Sequence, residues 1–145
     1  MSPLLQKMIF FFEHLLSANN DSNIKTLQIS EDTILTIMEK LSDFENNKGF
    51  LKQISLNTLA KKLGTNPKYL SKIINNHYEK NFSSYINDLR IKYLIKELKT
   101  DGSLKKLTIK DLGKKSGFGN TESFSKSFKK YTGVTPSSYL STLKS

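Results

Sequence analysis

The sequence predicts an all-α protein: two helix-turn-helix subdomains joined by a long linker helix, with a short N-terminal helical extension. Three observations predict it. Glycine and proline together are only 10 of 145 residues. Apolar residues recur at helical spacing along the chain, with no alternating strand pattern. One helical unit also occurs twice.

Leu4, Leu5, Met8, Ile9, Phe12, Leu15 and Leu16 share one face at helical spacing, so residues 3–17 are predicted to form an amphipathic helix, with Pro3 suited to its first turn. Phe10 and Phe11 fall off that stripe and offer a surface to the protein's own body or to a second copy. Residues 18–25 are polar and turn-prone, so 1–28 reads as an extension ahead of a domain at 29–145. Lys7, Glu13 and His14 interrupt the apolar stretch from Leu4 to Leu16, which is far short of the roughly 20 residues that span a bilayer. Met1-Ser2-Pro3-Leu4 lacks the basic start of a secretory signal, and the chain is expected in the cytoplasm.

Ser30 before Glu31-Asp32-Thr33 is an N-cap with acids in the first turn, and Ile34, Leu35, Met38, Leu41 and Phe44 make the predicted buried face of a helix that runs to about Asn47. Further helices are expected at about 55–63, 67–76, 82–98, 108–116, 121–131 and 136–143.

The repeat organises the rest. Leu59, Lys61, Lys62 and Gly64 recur as Leu112, Lys114, Lys115 and Gly117 at an offset of 53. After one extra residue, Ser71, Lys72, Ser83, Ser84 and Tyr85 recur as Ser125, Lys126, Ser137, Ser138 and Tyr139 at an offset of 54. Leu56, Leu70 and Ile74 pair with Ile109, Phe124 and Phe128 at core-type positions.

In the first copy, Ser55 caps a helix with Leu56, Leu59, Ala60 and Leu63 on its apolar face, and Gly64 ends it where a left-handed residue costs least. Asn66 and Pro67 then start a second helix that buries Tyr69, Leu70, Ile73 and Ile74. Two short helices around a glycine turn, here about 55–76, follow helix-turn-helix grammar, with the second helix the candidate reader. In the second copy, about 108–131, Thr108 caps, Gly117 breaks, and the next helix is expected to bury Phe124, Phe128 and Tyr131. Gly113 stands where the first copy has Ala60, as a close helix crossing would need. Between the copies, 82–98 reads as one helix with Phe82, Tyr85, Ile86, Leu89, Tyr93 and Leu94 on its apolar side, able to hold two readers apart. Arg90, the sole arginine, lies on it, with a structural ion pair its expected role and a phosphate contact second.

Charge is unevenly spread. Residues 1–47 carry 3 Lys against 7 acids, net −4, and residues 48–145 carry 20 Lys plus Arg against 6 acids, net +14. A basic unit of this density suits a polyanion. The unburied faces of the two second helices supply Lys68, Ser71, Lys72 and Asn75, and Thr121, Glu122, Ser125, Lys126 and Lys129, beside the capping residues Asn66 and Asn120. These residue types reach phosphates and base edges. The aromatics are core-spaced and form no stacking platform for RNA. With no cysteine, thiolate zinc sites, disulfides and cysteine nucleophiles are excluded. His14 and His77 do not suggest a metal site, no nucleotide-binding glycine loop or paired-carboxylate cluster is present, and neither enzyme activity nor a cofactor is expected.

From Ile109 to Tyr139, with its Gly-Phe, its spaced phenylalanines and its Gly133-Val-Thr-Pro-Ser-Ser-Tyr139 ending, the sequence resembles the DNA-binding module of AraC/XylS transcription regulators. Arg90-Ile91 after Phe82-Ser-Ser-Tyr-Ile86 is similar to the linker helix of that family, and the resemblance covers about residues 30–143. It implies a seven-helix, two-lobed domain whose recognition helices, here about Pro67–Asn76 and Thr121–Lys130, enter adjacent major grooves of double-stranded DNA. Leu94 and Gly113 stand where the family commonly has alanine, and Leu140 where it often has arginine. The 29 residues ahead are too few for a ligand pocket, and Phe44–Leu51 is similar to members attached to membrane-linked sensors, so the expectation is a short regulator or the output module of a larger sensor. RNA polymerase is a further candidate partner. The alternative is a protein-interaction or co-regulator module that binds DNA weakly and self-associates through residues 3–17.

Overall fold

Capping chemistry sets the helix starts. Ser30, Ser55, Asn66, Thr108 and Asn120 sit in extended backbone, and each side chain accepts the backbone N–H three residues on. Asn81 and Thr135 do the same for Ser84 and Ser138. The computed structural model describes Gln6 and residues 29–144. Residues 29–144 form α1 (Glu31–Asn46), α2 (Leu56–Lys62), α3 (Pro67–Tyr78), α4 (Phe82–Thr100), α5 (Ile109–Lys115), α6 (Thr121–Thr132) and α7 (Pro136–Lys144). No strand occurs among the described residues. Apart from Gln6, the predicted 3–17 helix and the 18–28 segment lie outside them.

The all-α class and the two helix-turn-helix units are as expected. α3 and α4 each run two residues further than predicted, α3 closing at Glu79 in left-handed backbone at φ 55°. Two 3-10 turns, Gly49–Leu51 and Gly102–Lys106, were not predicted. Asp101 caps the second, accepting from the Ser103 N–H at 3.0 Å and the Ser103 hydroxyl at 2.6 Å. These bonds to its charged form hold the Asp101 carboxyl below the usual carboxylate range.

The chain folds as two units, each with its own buried side chains. The described part of the first comprises residues 29–48 and 54–85. In it, α1 buries Ile34, Ile37, Met38, Leu41 and Phe44. Leu35, expected inside, is half-exposed, because the i, i+3, i+4, i+7 stripe centres on the opposite neighbour, Ile37. Leu59, Ala60, Leu70, Ile73 and Ile74 are buried from α2 and α3. Tyr78 donates to the Glu45 carboxylate at 3.2 Å and packs against the buried Tyr85, the rings 4.6 Å between centroids and tilted by 39°. His77 takes a core position with its ring edge-on to Tyr78 at 4.4 Å.

The second unit joins residues 86–144 to the distant strap 49–53. Its core is Ile91, Leu94 and Leu98 of α4, Leu104, Leu112, Phe118, Phe124, Phe128 and Leu140. Arg90, 7% exposed, holds the strap. Its Nε donates to the Phe50 carbonyl at 2.7 Å, Nη2 to the Lys52 carbonyl at 3.0 Å and Nη1 to Asn87 Oδ1 at 3.3 Å. Its guanidinium carbon lies 5.4 Å from the Phe118 ring centre. Arg90 is structural, as expected, but carbonyl oxygens hold it rather than a carboxylate. Gln53 adds a bond to the Gly117 carbonyl at 2.8 Å. Gly117 has φ +97°, and a β-carbon there would stand 2.8 Å from the Leu51 carbonyl oxygen. Only glycine satisfies both the backbone and the space.

Candidate nucleic-acid interface

Each unit presents one copy of the same helix pair, closed by the same hydrogen bonds. After α2, Gly64 adopts φ +73°, its N–H binds the Lys61 carbonyl at 3.1 Å, and Thr65 N–H binds the Ala60 carbonyl at 2.9 Å. After α5, Gly117 N–H binds Lys114 O at 3.0 Å and Phe118 N–H binds Gly113 O at 3.0 Å. Both are Schellman closures. Beyond them the first copy reaches its asparagine cap directly, whereas the second inserts Gly119, which accounts for the change of offset from 53 to 54.

Both pairs cross closely. Ala60 and Leu70 are fully buried in the first. In the second, a β-carbon on Gly113 would stand 3.1 Å from Phe124 Cγ, tighter than ordinary contact.

The reading helices start alike. Asn66 Oδ1 accepts Tyr69 N–H at 2.9 Å and Asn120 Oδ1 accepts Ser123 N–H at 2.8 Å. Burying Leu70, Ile73, Ile74 and His77 turns the other face of α3 outward, leaving Asn66, Lys68 and Asn75 exposed and Ser71 and Lys72 half-buried. Burying Phe124 and Phe128 does the same for α6, with Asn120, Thr121, Glu122, Lys126 and Lys129 exposed and Ser125 half-buried. Lys68, Ser71, Lys72 and Asn75 occupy the positions that Glu122, Ser125, Lys126 and Lys129 take 54 residues later. Tyr131, expected inside, is 43% exposed and is corrected. It keeps the spacing from Phe128, but α6 closes a residue later at Gly133, beyond the core.

One feature escaped the sequence reading. A cleft of about 230 Å³ is lined by Lys110 and Lys114 of α5, by Phe118 and Gly119, and by Asn120 and Thr121 at the start of α6. The i, i+4 spacing of the two lysines was the signal available for it. Among the described residues, no group of three or more His, Cys, Asp or Glu side chains could hold a metal, and no helix is long and apolar enough to cross a membrane.

A duplicated helix pair of this kind, capped and closed identically, with a cationic second helix in each copy, defines a double helix-turn-helix domain. The chain belongs to the AraC-type helix-turn-helix family, whose members are DNA-binding transcription regulators: a helix-turn-helix domain model matches residues 59–142. Over 88 residues it is 35% identical to YesN of Bacillus subtilis strain 168, an uncharacterized transcriptional regulatory protein, covering 59% of this chain and 23% of that one. The chain thus spans about a quarter of that relative's length. Among solved structures it is similar to a protein of unknown function from Listeria innocua, with TM-score 0.61 and 30% identity over 72% of this chain and 94% of that chain. It is also similar to ToxT from Vibrio cholerae, with TM-score 0.58 and 31% identity over 72% of this chain and 37% of that chain.

Proposed function

We propose that this chain recognises double-stranded DNA by sequence, with α3 and α6 inserted into adjacent major grooves, and that it regulates transcription either alone or as the output module of a larger sensor. The observation that carries this reading is that the two outward faces occupy the same positions, with Ser71 and Lys72 repeated as Ser125 and Lys126, on helices started by the same asparagine cap. Asn66, Lys68, Ser71, Lys72 and Asn75 form the first reader, and Asn120, Thr121, Glu122, Ser125, Lys126 and Lys129 the second. Lys110 and Lys114 join the second as phosphate contacts, because their cleft opens at the N-terminus of α6, where backbone N–H groups and the helix dipole also attract an anion. The role is binding rather than catalysis, in the cytoplasm, with RNA polymerase as a further partner.

The test is selection of bound duplexes from a random DNA library at near-physiological salt. Two enriched motifs about one helical turn, roughly 34 Å, apart are expected. Binding without enrichment would overturn sequence recognition. Deleting residues 1–28 should leave DNA affinity nearly unchanged, whereas loss of self-association or partner binding would favour the interaction-module alternative.

A further inference from the structure

The two reading helices share their caps and their central serine and lysine, but they reverse charge at the second helical position: Lys68 in α3, Glu122 in α6. Both side chains are exposed. Glu122 makes no hydrogen bond or ion pair with any described residue. An acid in the first turn suits the helix dipole. Helix stability does not require one there, since α3 starts from the same asparagine cap with a lysine in that place. In a reading helix the N-terminal residues meet base edges. There a carboxylate is repelled by phosphates and can only accept, so it needs a donor in the groove. Cytosine offers its amino group with no acceptor on the same base, whereas adenine sets N7 beside its amino group. A lysine at the same place donates, and the O6 and N7 of guanine are its matching acceptors.

We propose that Glu122 reads the amino group of a cytosine in one half-site while Lys68 faces guanine in the other. This rests on the DNA-reading assignment above.

The test repeats the duplex selection with the full chain, Glu122→Gln and Lys68→Glu. The unaltered chain should favour cytosine by about tenfold at one position of one motif. Glu122→Gln should lower that preference below about threefold, or pass it to adenine, which glutamine can bind through N6 and N7. The remainder of both motifs should persist. Lys68→Glu should bring a cytosine preference into the other motif. An unchanged motif from Glu122→Gln would overturn the assignment, and so would tighter binding to all sequences alike, since Glu122 would then merely repel phosphates. If the unaltered chain enriches no sequence, the failure is that of DNA reading and not of Glu122.

Discussion

Arg90 Nε donates to the Phe50 carbonyl at 2.7 Å across 40 residues of chain, and the same guanidinium reaches the Lys52 carbonyl. Burial pulls its pKa below the ordinary arginine value, but the group stays charged, so the two carbonyls stabilise a largely buried cation. Arg90→Ala would leave both carbonyls of the strap without their donor and should cost about 3 kcal/mol, read from urea unfolding. Arg90→Lys should recover less than half of that, because an ammonium is a point charge and cannot span both carbonyls as a planar fork does. Full recovery by lysine would mean that charge, not geometry, secures the strap.

Gly117 and Gly133 separate two costs that usually come together. Both have positive φ, at +97° and +86°, but only Gly117 has backbone where a β-carbon would go. Gly133→Ala should lose about 1 kcal/mol, from the left-handed conformation alone. Gly117→Ala should lose at least twice as much and shift the melting temperature accordingly. Equal losses would show that the strap yields to the new methyl.

The paired phenols of the first unit predict an alkaline limb. Burial raises the Tyr85 and Tyr78 pKa values above 10.0, and the negative charge of Glu45 raises both further. A group with a raised folded pKa binds its proton more tightly in the native state. Its stabilisation is therefore complete below about pH 10 and is lost as pH rises above that value. Stability should be insensitive to these groups up to about pH 9 and fall beyond pH 10, with ionisation of Tyr78 and Tyr85, followed ring by ring by NMR, appearing only as helicity is lost. Ionisation of Tyr78 or Tyr85 ahead of unfolding would contradict the burial of these two rings.

Lys72 and Lys126 hold equivalent places on the two readers. Each alanine substitution should cost about 1–3 kcal/mol against the selected duplex if the side chain reaches a base, and less, uniformly over sequences, if it meets only phosphate. If about six phosphates are neutralised, the log–log salt slope should be about −5. Unchanged affinity in both variants would displace the reading face from these residues.

The helices and their caps were legible because each rests on local chemistry: a Ser, Thr or Asn side chain three residues from the N–H it accepts, and a glycine at the closing turn. The repeat made the reading faces legible too, since two copies of one stripe restrict which side can be buried. The partners of Arg90 were hidden because they are main-chain carbonyls of Phe50 and Lys52, and a carbonyl carries no residue identity to search for. Tyr131 misled because periodicity gives the direction of a side chain but not how far the core extends along the helix. The cleft at Lys110 and Lys114 was hidden because its lining comes from α5, the turn and the start of α6, which only the folded chain brings together.

The strap at 49–53 is made before the first reader, and the arginine that holds it comes after. No single cut in the chain can therefore release the second reader whole. A fragment starting within α4 would leave behind the carbonyls that Arg90 binds, and one starting at the strap would bring the entire first reader with it. For recombination the two copies are a single heritable block: a gene segment that carried away only the second copy would encode an Arg90 stripped of the Phe50 and Lys52 carbonyls it binds.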